Sequence, residues 1–155
     1  MLEVRTVSQP DAPDSAPDDP QEANRRLIID LARAFAGALV FALPMLMTME
    51  LWQIGFYIEP LRLALLTILT IPMLVGLSHF SGFESTFRWR DDLEDACIAY
   101  AIGWLTAAAV LVMFAVVTPN LPFDSILGMI ALEAVPASIG AILARSLFGS
   151  GGSEE

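Results

Sequence analysis

Two carboxylates stand where carboxylates are expensive. Glu50 closes the apolar run MLMTMELW, and Glu133 lies inside ILGMIALEAVPASIGAIL. An intramembrane acid can serve as an ion or proton site, and in its protonated form it can donate a hydrogen bond to a neighbouring helix. Arg62 opens the apolar run after Glu50, and the two residues could pair across a short loop. His79, in GLSHFSGFE, is the single histidine and hence the one side chain whose ordinary titration falls near neutral pH. Asp91, Glu94 and Asp95 share a helical face at i, i+3, i+4, a spacing that suits hard cations. Arg88 and Arg90 stand beside them and can neutralise them without an ion, so the face reads as helix capping and solvated charge, and no metal site is expected.

The elements that must hold these groups are membrane spans. Apolar residues make up 55% of the chain and charged residues 17%, a balance unlike that of a soluble domain. Four runs each reach the length of about 20 residues that crosses a hydrocarbon core. They predict an all-α bundle with spans at about 31–52, 61–80, 96–117 and 125–148, together forming one unit over 25–148. Pro44, Pro72 and Pro136 fall inside three of them, which membrane helices tolerate when neighbours satisfy the freed carbonyls. Residues 1–24, rich in Pro, Asp and Ser, read as a disordered acidic tail. Residues 149–155 read as a polar tail or linker.

Charge placement orients the bundle. Arg25, Arg26 and Arg33 precede or open the first span, Arg88 and Arg90 lie in the middle loop, and Arg145 closes the last span. The other two loops hold Arg62, offset by Glu59. The positive-inside rule then predicts both termini in the cytoplasm. Trp52 and Tyr57 would mark the outer interface and Trp89 the inner one.

Within this frame the two acids differ. Glu50 lies a few residues from the outer end of its span, where it can reach the interface beside Trp52. Glu133 lies about eight residues into the fourth span, roughly 12 Å by helix rise, near the middle of a core about 30 Å thick. Charge there costs a few kcal/mol on insertion scales, so the side chain should face protein. At helical spacing it shares a face with Ala137, Gly140 and Ala144. Small residues four apart recur as Ala34, Ala38, Ala42 and as Ala99, Gly103, Ala107. Such rows let helix backbones approach closely in lipid.

Several functions find no signature. The net charge of −10 and the lack of any lysine leave no basic stripe for nucleic acid. Cys97 is the single cysteine, so neither a disulfide nor a cysteine metal site within one chain is possible; its apolar surroundings predict a buried, inert thiol. Gly-rich phosphate loops, zinc motifs and catalytic triads are missing, and neither a cofactor nor enzymatic activity is expected.

The stretch FALPMLMTMELWQIGFYIEPLRLAL, the FRWRDDLEDA loop and the EAVPASIGAILARS ending together resemble the DUF2391 family of bacterial integral membrane proteins, over about residues 30–148. The resemblance implies a multi-pass protein of the bacterial cytoplasmic membrane. The family has no assigned activity, so it supplies no catalytic residue. Its members look longer, with a second multi-helix half after a polar linker, and GSGGSEE is similar to such a linker. Lipid is the expected environment. A second multi-helix half or another copy of the chain is the expected helix–helix partner. Two functions stay open: a small proton or ion transporter or channel using Glu133 and Glu50, with Arg62 and His79 as partners, and a non-catalytic scaffold or subunit of a larger membrane complex.

Overall fold

The computed structural model describes residues 20–81 and 89–149, with side chains at 20–80 and 93–145. These residues form five helices: α1 Pro20–Met47, α2 Glu50–Ile54, α3 Pro60–Ser81, α4 Trp89–Met113 and α5 Phe123–Gly149. Four of them are long and apolar enough to cross a membrane. The chain is thus an all-α, four-span bundle, as its hydropathy predicts. Residues 1–19, 82–88 with Arg88 among them, and 150–155, together with the side chains of Trp89, Arg90 and Asp91, lie outside the described residues, and so do the expectations placed on them.

The element ends depart from the sequence expectations at three places, each for a local reason. Helix α1 starts at Pro20, inside the segment expected to be disordered. Proline is well placed at a first helical position, where its missing N–H has no intrahelical partner to lose. The first span was expected to continue to Trp52, but α1 stops at Met47. The Thr48 hydroxyl donates to the Met45 carbonyl at 2.7 Å, and the Trp52 indole N–H donates to the Leu46 carbonyl at 3.1 Å. Carbonyls of the last turn thereby find donors outside the helix, and Glu50 begins a separate short helix.

The third span was expected to run to Val117, but α4 ends at Met113. Ala115 takes a left-handed backbone conformation, φ 57°. Its N–H donates to the Val112 carbonyl at 3.0 Å, and that of Val116 to the Leu111 carbonyl at 2.9 Å. This double closure is the Schellman motif. Val116 and Leu111 belong to one apolar cluster, which supplies the contact that accompanies such a cap.

Helix α5 is the centre of the bundle. More than half of its apolar window is buried, whereas α3 buries little of its own. The small-residue rows face inward. Ala34, Ala38 and Ala42 of α1, and Ala99 and Ala107 of α4, are fully buried. A Cβ on Gly37 would collide with the Ala144 methyl and the Gly140 carbonyl, so α1 and α5 touch backbone to backbone. Gly103 of α4 meets Ser138 and Ala134 of α5 in the same way. Close approach replaces the hydrophobic drive that lipid cannot supply between helices. Outward-facing Leu61, Leu65, Ile68 and Leu69 of α3 are exposed, as a lipid-facing surface requires.

Four alternating helices gather their ends into two sets. One, the tail end, holds Pro20, Ser81, Trp89 and Gly149. The other, the turn end, holds the α1–α3 connection and the α4–α5 turn. At the tail end, Arg145 Nη2 lies 2.9 Å from Asp95 Oδ1 and ties α5 to α4. Asp95 is thereby engaged by an arginine, in keeping with a charge face neutralised without an ion. Cys97, expected to be buried, is exposed on the outside of α4.

Candidate functional site

Glu133 is 0% exposed, and neither carboxylate oxygen has a hydrogen-bond partner among the described residues. Its helical face continues through Ala137, Gly140 and Ala144, and the last two lie against Gly37. The carboxylate therefore sits on the α1 side of α5. It is two turns, about 10 Å by helix rise, from the Gly37–Gly140 contact, and this is the level of Pro44 on the antiparallel α1. Burial against a small-residue face is what the sequence spacing requires. The absence of a polar partner is not readable from spacing.

Two fully buried hydroxyls, one on α4 and one on α5, are occupied. Thr106 of α4 is fully buried and donates to its own Ile102 carbonyl at 2.8 Å. Ser138, also fully buried, donates to Ala134 at 2.6 Å. Hydroxyls bonded back to the preceding turn satisfy their own hydrogens and leave none for a neighbouring carboxylate.

The remaining sequence candidates are not gathered around Glu133. Glu50 is exposed at the start of α2. Arg62 does not reach it: its Nε lies 3.5 Å from Glu59 Oε2, three residues back. Both partners are largely exposed, so this pair is worth little. His79 is exposed at the opposite end of α3, its ring edge-on to Phe80 at 6.1 Å. Seventeen residues separate Arg62 from His79 on one helix, about 25 Å, so they cannot serve one site.

A feature that residue types did not signal lies at the turn end. A cleft of about 460 Å³ opens between the α2–α3 connection, the first half of α3 and the first turns of α5. Its walls are mainly apolar, with Phe56, Leu63, Ile68 and Trp104 among them, and Asp124 and Ser125 stand at the α5 end. Glu133 and Glu50 are not among its lining residues. Only the placement of three separate elements creates it, so no single stretch of sequence carries its signal.

Comparison with known proteins bears on the whole bundle and not on one site. No curated protein and no solved structure matches the chain. A family profile, described as "Putative integral membrane protein (DUF2391)", matches residues 30–155. That match begins inside α1 and includes the other four helices. The chain therefore belongs to the DUF2391 family of integral membrane proteins.

Proposed function

We propose that this chain is a non-catalytic scaffold or subunit of the bacterial cytoplasmic membrane, with both termini inside. Glu133 serves as a protonated polar centre of its helix interface. One observation carries the reading: the carboxyl is fully enclosed on the close α1–α5 face and stands outside the turn-end cleft. A conducting site needs a route for its ion, and the buried hydroxyls of Thr106 and Ser138 are bonded to their own backbone. Scaffolds need rigid helix contacts, which the α1–α5 and α4–α5 faces supply.

Proton or small-ion transport is the second reading, and it is favoured by the same group. Neither oxygen has a partner among the described residues, and an unsatisfied buried acid in a membrane is a functional candidate by default. Flux separates the two. Wild type and Glu133→Gln are reconstituted into liposomes, and proton and monovalent-ion movement is followed at two pH values. The scaffold reading expects no flux from either protein. Flux in wild type that is lost in a folded Glu133→Gln variant overturns it in favour of transport.

A further inference from the structure

The cleft at the turn end has the form of an amphiphile site. Its rim is set by Pro60 of α3 and by Asp124 and Ser125 of α5. Its far end is set by Ile68 and Ala131, with Trp104 entering from α4. Ile68 and Ala131 each lie eight residues into their helices, so the cleft reaches about 12 Å from the rim by helix rise. One end is polar and the other mainly apolar, the Thr67 hydroxyl there being spent on its own Leu63 carbonyl at 2.9 Å. The volume, about 460 Å³, falls in the range of small-molecule sites.

The polar end carries a sign. Asp124 is exposed and forms no ion pair or hydrogen bond with a described residue. Ser125 is 7% exposed, lines the cleft and makes no side-chain hydrogen bond to a described residue. A nearly buried hydroxyl without a protein partner asks for one from whatever fills the cleft. The connections at this end carry Glu50, Glu59 and Asp124 against Arg62 alone, and Arg62 is taken by Glu59. Among the described residues, Asp124 is the one charged residue that lines the cleft, and a cationic group beside it is the partner its carboxylate favours.

The geometry points to a binding site for a single-tailed amphiphilic ammonium, its charged head at Asp124 and Ser125 and its tail between α3, α4 and α5 toward Trp104. A phospholipid is a poorer occupant, because its phosphate would lie beside the Asp124 carboxylate. This site is separate from Glu133 and does not depend on the scaffold reading.

The test uses the full chain in a neutral maltoside detergent and an alkyltrimethylammonium probe with a photoreactive diazirine at the tail end. After irradiation, the labelled peptides are mapped by mass spectrometry. Labelling is expected within the α3, α4 and α5 segments that hold Ile68, Trp104 and Ala131. Octyltrimethylammonium should compete, whereas octanol and octyl sulfate at the same concentration should not. Loss of a charge-assisted contact in Asp124→Asn should weaken competition about ten-fold or more, and Asp124→Glu should retain it. Should Asp124→Asn fail to fold, Ser125→Ala provides the second variant, with weakened binding expected. Equal competition by octanol, or full labelling in both Asp124→Asn and Ser125→Ala, would overturn the proposal and leave a crevice for any apolar tail. Competition by a short-chain phosphatidylethanolamine at equal strength would overturn it in favour of a lipid headgroup, and labelling elsewhere would overturn it outright.

Discussion

At the scale of single residues, Glu133 holds the largest imbalance between cost and visible return. A buried polar group with no partner costs about 1–3 kcal/mol, and here both oxygens are in that state. Methionine fills a similar volume without a polar head. Glu133→Met should therefore raise stability by about 1–3 kcal/mol, read as resistance to denaturation in detergent. A loss of stability would mean that the carboxyl has a partner outside the described residues. Ala115 offers a smaller imbalance of the same kind. It occupies a left-handed position without being glycine, at a cost of roughly 1–2 kcal/mol. Ala115→Gly keeps the Schellman closure of α4 and removes that cost. It should stabilise the chain by about 1 kcal/mol, measured in the same assay.

At the scale of elements, the decisive contact is α1 against α5. Gly140 has the Gly37 carbonyl and the Phe41 ring where its Cβ would go. Gly140→Ala should cost about 1–3 kcal/mol through overpacking. Gly76 in α3 is the matched control, because a Cβ there meets nothing within 4 Å. Gly76→Ala should gain about 0.5–1 kcal/mol from helix propensity. Opposite signs from the same substitution would show that glycine is retained at position 140 for backbone approach. Equal effects would remove the close α1–α5 contact as the source of stability. The Asp95–Arg145 pair adds the interhelical electrostatic tie, but its half-exposed setting keeps it small.

At the scale of the whole molecule, the arginine placement and the helix count make one joint prediction. Four spans bring Pro20 and Gly149 to the same end, and the positive-inside rule assigns that end to the cytoplasm. After Cys97 is replaced by serine, single cysteines test this in right-side-out vesicles with a membrane-impermeant maleimide. Asn120→Cys, in the α4–α5 turn, should label from outside. Gln21→Cys should label only after permeabilisation. The reverse pattern would invert the bundle and carry the ammonium cleft to the cytoplasmic face.

Hydropathy determined that the chain lies in a membrane and how many times it crosses, and helical spacing determined which side of α5 Glu133 occupies. Those properties follow from run length and from the 100° step between helical residues, both of which are local. The small-residue rows marked which faces would meet, because only small side chains permit backbone contact. The helix ends were less legible. The run VLVMFAVV stays apolar across the end of α4, and a left-handed turn at Ala115 leaves hydropathy unchanged. Position in space was the part that only tertiary structure decided. Arg62 turned to Glu59 instead of Glu50, Asp95 found Arg145 across the sequence, and three distant segments enclosed one cleft. Such pairings depend on the angles and registers at which helices pack, and those are set jointly by every contacting face.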